Sequence, residues 1–286
     1  MYNIIFNPVA GKKKAFENLD VVKRIMDECK VEYNIYKSGG IHDAEYIARD
    51  LTQKGETSLI VLGGDGTLNE VLNGLVDPSV CTLGLVPSGT GNDFAERMGI
   101  PLDPEQAIRR IMANDAKPVD YIDVSGTRSM NVAGLGMDVD VLERCQRGNM
   151  KGKLKYLLSL VQSLFSFKGY RVHIEAEGVS EDRDVLLCAV CNGSQFGGGI
   201  RICPAADPAD GKLDVVTVDC IGGKLAIIKA FMELLKGKIL EYPLTKHYLV
   251  EKVTFTPKQD CPIQLDGELY QHHAFEAEVK KGLKFY

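Results

Sequence analysis

The sequence predicts a chain of two parts: an α/β domain with a doubly wound parallel sheet, then an antiparallel β-sandwich-like domain with two helices. Two patterns predict this fold class. Before Asp123, short apolar runs alternate with helical patterns, as in a parallel sheet with helices on both faces. After Asp123, apolar and polar residues alternate along several segments, as in antiparallel strands with one buried face.

The α/β domain is predicted to cover residues 1–124. Its strands are expected at residues 2–6, 31–36, 58–62, 80–86 and 117–123. Its helices are expected near residues 15–29, 42–54, 67–75, 90–98 and 104–113. Ligands of open α/β sheets bind at the carboxyl ends of the strands, so the turns that follow these strands are candidate binding positions.

The second domain is predicted to cover residues 125–286. Period-two alternation marks its strands, with apolar positions at Val172, Ile174, Ala176, Val253, Phe255, Phe275, Ala277 and Val279. Two helices are expected to interrupt the strands, near residues 152–167 and 223–236. No linker rich in Gly, Ser or Pro marks the boundary, so we expect the domains to share a tight interface with a cleft.

Composition excludes several classes of protein. Charged residues make up 26% and hydrophobic residues 45% of the 286 residues, which is ordinary for a soluble protein. The formal net charge of -5 argues against a nucleic-acid-binding protein. No signal peptide is visible, and no window approaches the uninterrupted apolar length of a membrane span. We therefore expect a cytoplasmic protein.

The eight cysteines do not predict a metal site or a disulfide framework. Cys188 and Cys191 form a C-x-x-C pair, but they lie in an apolar run that is typical of a buried strand. Residues three apart on a strand point to opposite faces, and no second pair or nearby histidine completes a zinc set. We expect mostly buried, reduced thiols, and we interpret His272-His273 as a solvated turn.

The turn from Gly63 to Glu70 is the most informative segment of the chain. It follows the apolar run 58–62 and precedes a helical pattern, so it connects a buried strand to the start of a helix. Backbone N–H groups and the positive end of the helix dipole favour phosphate there. Asp65 would repel phosphate unless a cation intervened, which suggests magnesium. The alternative is an ordinary strand–helix turn with Thr67 as its cap.

Two further turns follow predicted strands in the same way. The segment from Asn7 to Gly11 comes directly after strand 2–6, and the segment from Pro87 to Phe94 comes directly after strand 80–86. Three small-residue turns at one sheet edge favour nucleotide binding. Neither the G-x-x-x-x-G-K-[ST] motif nor the G-x-G-x-x-G motif occurs, so a P-loop NTPase and a standard dinucleotide-binding dehydrogenase are unlikely classes.

A group of basic residues surrounds the start of the helix expected at 152–167. The group contains Arg144, Arg147, Lys151, Lys153 and Lys155, and the helix carries an apolar stripe. Such a helix can dock on an anionic membrane surface. A core-packing helix with a solvated basic end is the alternative, and the sequence leaves both open.

With the three turns in this order, the chain resembles the diacylglycerol kinase catalytic-domain family, and above all the soluble bacterial lipid kinases. The segments 207–214 and Leu265-Asp266-Gly267-Glu268 match later motifs of that family. The resemblance implies a nucleotide-binding α/β domain and a β-rich domain with the active site between them. It also implies transfer of the ATP γ-phosphate to a lipid hydroxyl, most simply from diacylglycerol to phosphatidic acid.

The resemblance assigns the site residues by position. Nucleotide contacts would come from Asn7, Pro8, Val9, Ala10, Gly11, Ser38, Gly64, Asp65, Gly66, Thr67, Leu68, Asn69, Glu70 and Thr90. A structural magnesium ion would be held by the carboxylate of Asp210 and the carbonyls of Asp207 and Lys212. A second ion would travel with ATP near Asp65 and Asp93. Alternatively, Asp210-Gly211 is simply a hairpin turn.

Glu268 matches the general base of the family, because a carboxylate can accept the proton of the attacking lipid hydroxyl. The alternative is an exposed glutamate beside a tight Asp266-Gly267 hairpin. Competing functions are NAD kinase, which shares the Gly-Gly-Asp-Gly-Thr loop, and a silent nucleotide- or lipid-binding regulator. The resemblance further implies transient contact with the inner face of the membrane and a possible homodimer. The sequence does not select the lipid acceptor.

Overall fold

The computed structural model describes residues 1–146, 159, 162–271 and 275–286. The described chain forms two compact units. Unit 1 comprises Met1–Tyr121, Arg128–Met130 and Lys280–Tyr286, and unit 2 comprises Ile122–Thr127 and Asn131–Val279. A single cut at residue 124 stays a prediction.

The first part of the chain alternates strands and helices. The strands are β1 (Tyr2–Phe6), β2 (Tyr33–Lys37), β3 (Ser58–Gly63), β4 (Thr82–Pro87), β5 (Lys117–Val124) and β6 (Thr127–Ser129). The helices are α1 (Lys14–Glu28), α2 (Asp43–Gln53), α3 (Asp65–Gly74), α4 (Asp93–Arg97) and α5 (Pro104–Met112).

Four of these strands form a parallel sheet in unit 1. Strand β1 pairs with β2 on one side and with β3 on the other, and β3 pairs with β4, each time in parallel. The chain end from Lys284 adds a further parallel strand beside β4. Strands β1, β3 and β4 are almost fully buried, which explains their uninterrupted apolar runs. The predicted parallel α/β sheet is confirmed.

The helices of unit 1 pack in two neighbouring pairs, α1 beside α5 and α2 beside α3. Helix α1 shows why such segments fold. Its buried residues, Ala15, Leu19, Val22, Ile25 and Met26, recur at helical spacing and form one apolar stripe. Burial of each large apolar side chain stabilises the fold by about 1.5–3 kcal/mol, before the cost of ordering the chain.

The remaining elements, apart from the end of the last strand, belong to unit 2. Its strands are β7 (Val132–Gly136), β8 (Tyr170–Ala176), β9 (Val179–Cys191), β10 (Gln195–Phe196), β11 (Ile200–Arg201), β12 (Leu213–Asp219), β13 (Thr245–Val250), β14 (Lys252–Pro257), β15 (Pro262–Leu265), β16 (Glu268–Gln271) and β17 (Phe275–Phe285). Helices α6 (Met137–Gln146) and α7 (Gly223–Leu235) also belong to this unit.

Antiparallel pairing runs through unit 2 in the order β16, β15, β7, β9, β8, β14 and β17. Strand β12 also pairs with β9, and β13 pairs with β12. Strand β9 lies between two apolar clusters: Cys188 and Val190 pack in one, and Ala189 and Cys191 pack in the other. The predicted divergence of Cys188 and Cys191 is therefore confirmed, as is the antiparallel β-rich fold.

Several element boundaries differ from the sequence prediction. The expected strand 80–86 starts later, because Pro78 opens a short 3₁₀ turn that the Asp77 side chain caps. The expected helix 90–98 shortens to α4, because Asn92 has left-handed backbone angles and ends the preceding turn. Helix α3 begins at Asp65, earlier than expected, and ends at Gly74.

The expectation of mostly buried, reduced thiols is confirmed. All eight thiols are free, and five of them are buried, but Cys29 is exposed and Cys145 and Cys220 are partly exposed. Cys29 directly follows the end of α1, where the chain turns at the surface.

The helix expected at 152–167 lies largely outside the described residues, together with Arg147, Lys151, Lys153 and Lys155. Within that range, residues 162–166 are helical. His272-His273 also lies outside the described residues. Across the part of the chain that the structure describes, every helix is too short or too polar to cross a membrane.

The contact between α2 and α3 leads to a stability prediction. A β-carbon at Gly74 would collide with the Glu45 carbonyl oxygen and lie 2.8 Å from the Ala48 β-carbon. Gly74→Ala should therefore lower the free energy of unfolding by about 1–3 kcal/mol, because overpacking forces the helices apart. Urea unfolding followed by circular dichroism measures the change.

Gly66→Ala is the matched control, because a β-carbon there meets nothing within 4 Å. It should be neutral or raise the free energy of unfolding by up to about 0.5–1 kcal/mol, since alanine favours helix. Equal losses in the two variants would contradict the proposed helix contact.

Candidate functional site

Three turns meet at the carboxyl edge of the sheet in unit 1. They follow β1, β3 and β4, and backbone hydrogen bonds hold the strand ends level. The Asn7 N–H donates to the Leu62 carbonyl at 3.0 Å, and the Ser88 N–H donates to the Gly63 carbonyl at 2.7 Å. The parallel pairing thus places all three predicted turns side by side.

Glycine permits the close approach of these turns. A β-carbon on Gly64 would lie 2.8 Å from the Gly89 Cα, and one on Gly89 would lie 2.6 Å from the Gly64 Cα. Gly11 has a φ of +59°, and a β-carbon there would collide with the Ser88 carbonyl oxygen. Larger residues would push the turns apart, so the sequence motifs are packing requirements as well as candidate binding segments.

The side chain of Asn7 ties the first turn to the second. Its Nδ2 donates to the Thr67 Oγ1 at 2.8 Å, and its Oδ1 accepts the Val9 N–H at 3.1 Å. The interpretation of Thr67 as the cap of α3 is therefore wrong. Gly64 occupies the N-cap position, and no side-chain hydrogen bond caps the helix. An uncapped helix start favours an anionic ligand.

Asp65 connects the second turn to the third. Its Oδ2 accepts the Asp93 N–H at 3.1 Å, and its Oδ1 accepts the Phe94 N–H at 3.2 Å. Asp65 thus caps α4, a short helix whose own N-cap residue, Asn92, provides no side-chain cap. Asp93 is buried, and Asp65 is partly exposed. The structure therefore brings both predicted acids to one place.

The residues predicted to contact the nucleotide form an exposed or partly exposed set and a buried set. Exposed or partly exposed are Asn7, Pro8, Val9, Ala10, Gly11, Gly64, Asp65, Gly66, Glu70 and Thr90, and buried are Ser38, Thr67, Leu68 and Asn69.

Two of these side chains hold neighbouring elements. The Glu70 carboxylate accepts the N–H groups of His42 and Ala44 at the start of α2, and the Asn69 Nδ2 donates to the Arg128 carbonyl. These two side chains therefore hold neighbouring elements in place and stabilise the fold.

Glu268 lies on unit 2, at the start of β16 and opposite Leu265. It is exposed, and it follows a two-residue turn in which Asp266 and Gly267 have φ values of 50° and 89°. Positive φ at both central residues is typical of a type I′ hairpin turn. The predicted Asp266-Gly267 hairpin is therefore present, and it presents the Glu268 carboxylate to solvent.

Buried polar groups anchor this hairpin. The Asp266 Oδ1 accepts the N–H groups of Asn131 and Val132, at 2.9 and 3.0 Å. The Gln264 Oε1 accepts the Gly267 N–H at 3.0 Å. Three hydrogen bonds thus fix the turn, two of them to the start of β7, so the position of Glu268 is well defined.

Asp138 is a residue that the sequence analysis missed. It lies in the first turn of α6, close to Gln264, and its Oδ1 is shielded from solvent. Burial raises the pKa of the Asp138 carboxyl to about 6, although local hydrogen bonds oppose the shift. The sequence contained one signal for this residue: like Asp65, Asp138 follows a strand and a glycine and lies at the start of a helix.

The loop 207–212 forms a series of tight turns. The Asp207 Oδ1 accepts the Ala209 N–H at 3.1 Å, and the Asp210 Oδ1 accepts the Lys212 N–H at 2.9 Å. The Lys212 ammonium forms an ion pair with Glu251, and that hydrogen bond raises its pKa. The predicted magnesium ligands, two carbonyls and the exposed Asp210 carboxylate, are all oxygen donors and suit that ion.

The capping role of Asp65 leads to a second stability prediction. Asp65→Ala removes the acceptor of two N–H groups and should lower the free energy of unfolding by about 0.5–2 kcal/mol. Asp65→Asn keeps an oxygen acceptor and should lose less. Thermal and urea unfolding measure both variants.

Asp50→Ala is the control, since Asp50 is exposed and pairs with Lys54 on its own helix. Its effect should stay within about 0.5 kcal/mol. If Asp65→Ala proves no less stable than Asp50→Ala, the bonds to α4 do not stabilise the fold.

Comparison with known proteins agrees with the geometry. Residues 1–124 match the diacylglycerol kinase catalytic domain. Residues 131–283 match the YegS C-terminal NAD kinase beta sandwich-like domain. A crystal structure of a diacylglycerol kinase from Bacillus anthracis str. Sterne shares the fold, with a TM-score of 0.77 at 23% identity over 99% of this chain and 95% of that one.

Two relatives are similar along most of their length. The "Diacylglycerol kinase" of Bacillus subtilis (strain 168) is 28% identical over 275 residues, which cover 93% of this chain and 88% of that protein. The "Probable lipid kinase YegS-like" of Xanthomonas campestris pv. campestris (strain 8004) is 30% identical over 227 residues, which cover 76% of this chain and 74% of that protein. The chain therefore belongs to the family of diacylglycerol kinases and YegS-like lipid kinases.

Proposed function

We propose that the protein transfers the γ-phosphate of ATP to the hydroxyl of a lipid, with diacylglycerol as the acceptor. The observation that carries the proposal is the meeting of three glycine turns at the uncapped start of α3. Membership of a lipid kinase family implies ATP use, and the name of the Bacillus subtilis relative supports diacylglycerol.

The nucleotide phosphates would bind against the turn that opens α3. Gly66 leaves the backbone open there, since a β-carbon on Gly66 would meet nothing within 4 Å. Backbone N–H groups and the helix dipole attract the phosphate oxygens. Asn7 supports this arrangement because it holds Thr67, in the first turn of the helix.

Magnesium that arrives with ATP neutralises phosphate charge as the γ-phosphoryl group is transferred. Asp65 and Asp93 are the residues that would hold it, since their carboxyl groups lie at adjoining helix starts. The two N–H groups bound by Asp65 orient its carboxylate. Its role as a cap and its role toward the ion are compatible.

The structural magnesium ion, distinct from the ion that arrives with ATP, would be held by the loop 207–212. Its ligands would be the Asp210 carboxylate and the carbonyls of Asp207 and Lys212. The loop is already closed by Asp–backbone hydrogen bonds, so the ion would reinforce an existing shape. This assignment follows the family resemblance, and the all-oxygen donor set supports it.

Glu268 would act as the general base. Its carboxylate would accept the lipid hydroxyl proton while the hydroxyl oxygen bonds to the γ-phosphorus and ADP leaves. Two features support this role: the side chain is exposed, and its hairpin is fixed by Asp266 and Gln264. A base on a rigid hairpin loses little entropy on reaching the acceptor.

A diacylglycerol acceptor resides in a membrane, so we also propose transient association with the inner face of the cytoplasmic membrane. The basic residues expected to mediate this contact lie mostly outside the described residues. A homodimer stays a prediction from the family resemblance.

The direct test is transfer of label from ATP, labelled at the γ-phosphate, to acceptors in mixed micelles. Diacylglycerol, ceramide, a sphingoid base and phosphatidylglycerol are supplied separately, and NAD is supplied in solution. The proposal expects labelled phosphatidic acid. Label on another lipid would keep the kinase and correct the acceptor. Label on NAD alone, or no label at all, would overturn the proposal.

Glu268→Gln tests the base in the same assay. The variant keeps the size of the side chain but cannot accept the proton, so turnover should fall by about 10²- to 10⁴-fold while ATP affinity stays near wild type. Glu177→Gln is the matched control, because Glu177 is also an exposed glutamate at a hairpin turn. It should keep full turnover.

If Glu268→Gln keeps most of its turnover, Glu268 is not the general base. Loss of ATP binding instead would show a structural role for Glu268.

Asp210→Asn tests the magnesium loop. In the wild type, added magnesium should raise the melting temperature, because an ion that binds the native state stabilises it by RT ln(1 + [L]/Kd). Asp210→Asn should lose that rise. Asp207→Asn should keep it, since only the Asp207 carbonyl is assigned to the ion. Equal magnesium-dependent shifts in wild type and Asp210→Asn would contradict the assignment.

A further inference from the structure

A second group of potential metal ligands lies in unit 2. Cys203, Asp214 and His247 each direct one ligand atom toward the others, and these atoms lie within 4.8 Å of one another. Cys203 and Asp214 are buried, and the His247 side chain is partly exposed at 36%. The three residues come from three segments of the chain, so tertiary structure alone brings them together.

The fold fixes each member of the group. Asp214 lies on β12, two residues from Val216, and Val216 faces His247 on β13. Asp214 and His247 therefore lie on one face of the antiparallel pair. Cys203 follows β11, where its N–H donates to the Ser194 carbonyl at 3.1 Å. This bond holds the thiol beside Asp214.

The contacts inside the group centre on Asp214. The His247 Nε2 lies 2.6 Å from the Asp214 Oδ1, and the Cys203 thiol also forms a hydrogen bond with Asp214. Burial, followed by the charge of Asp214, raises the pKa of the Cys203 thiol to about 12. The thiol is therefore protonated at neutral pH, and a metal ion would displace its proton.

We propose that Cys203, Asp214 and His247 bind a zinc ion, with water as the fourth ligand on the exposed side of His247. Thiolate, imidazole and carboxylate are the three side-chain donors that zinc takes, whereas a thiolate is a poor ligand for magnesium. One thiolate and one carboxylate together carry two negative charges, which balance the two positive charges of the zinc ion. Tetrahedral bonds of about 2.0–2.3 Å separate donor atoms by roughly 3.3–3.8 Å, so the His247–Asp214 contact would need to open by about 1 Å.

The position of the group suggests what the ion does. Cys203 and Asp214 bracket residues 204–213, which contain the loop assigned to magnesium. A zinc ion would join the two ends of this segment and restrict it in the unfolded chain, as a covalent crosslink does. The inference does not depend on the kinase activity, because it rests on three donors outside the magnesium set.

Cobalt(II) is the probe for the test, since a thiolate–cobalt bond absorbs in the near ultraviolet and tetrahedral cobalt absorbs in the visible range. The purified full chain should bind one cobalt ion with both absorptions, and zinc should displace it. Cys203→Ser should lose the near-ultraviolet band. Cys29→Ser should keep it, because Cys29 is an exposed free thiol.

Histidine variants provide a second measurement that does not disturb the core. His247→Ala should weaken zinc binding by at least about tenfold, since even loss of an outer-shell partner costs that much. His173→Ala is the matched control, because His173 is a partly exposed histidine that also pairs with an aspartate, Asp182, and lies outside the proposed ligand group. Isothermal titration and zinc-dependent melting shifts compare the two.

Absence of zinc and cobalt binding at micromolar concentrations would overturn the proposal and leave a hydrogen-bonded triad. Binding that survives both Cys203→Ser and His247→Ala would place the ion elsewhere and overturn it equally. If Cys203→Ser fails to fold, the near-ultraviolet cobalt band must still be present in the wild type and in Cys29→Ser and be lost in His247→Ala, and any other pattern would count against the site. Because no lipid or nucleotide is present, failure here leaves the proposed kinase activity untouched.

Discussion

The contact between two backbone segments, at Gly64 and Gly89, is the constraint on which the arrangement of unit 1 depends. Parallel pairing of β1, β3 and β4 brings the strand ends to one edge, but it leaves no room for side chains between the turns. Glycine at both positions allows the turns to touch. The Asn7–Thr67 and Asp65–α4 hydrogen bonds then form across the contact, and the start of α3 stays open to a ligand. One packing requirement thus creates a surface of backbone N–H groups that suits phosphate.

Acidic side chains that bind the backbone of another element hold the candidate sites in both units. Asp65 caps α4, Glu70 caps α2, and Asp266 accepts two N–H groups at the start of β7. Each carboxylate satisfies donors that a helix or strand end would otherwise leave to water. The acidic side chains close to the candidate sites therefore stabilise the structure whether or not a metal ion binds.

The sequence predicted the fold class and the three turns because these depend on local patterns. Apolar runs, period-two alternation and glycine clusters identify strands, faces and turns without knowledge of tertiary contacts. Partners of Asp65 and Glu70 were missed, because they lie on other helices and no sequence spacing encodes them. Cys203 and His247 were missed for the same reason. The start of β4 and the length of α4 depended on turn chemistry at Pro78 and Asn92, which the apolar pattern alone does not show.

The hairpin that carries Glu268 lies close to a buried acid, Asp138, whose burial affects the stability of the fold. Asp138 has a pKa of about 6 in the native state, against an ordinary value of 3.8, because burial disfavours its charge. The native state therefore keeps a proton that the unfolded chain releases between about pH 4 and 6, and this group's contribution to stability is lost as pH rises through 6. An apolar residue would avoid that cost. The Asp138 carboxyl group lies close to Gln264, whose side-chain oxygen accepts the Gly267 N–H of the turn. The hydrogen bonds of Asp266 and Gln264 fix the position of the turn, whereas the buried acid beside them lowers stability above about pH 6.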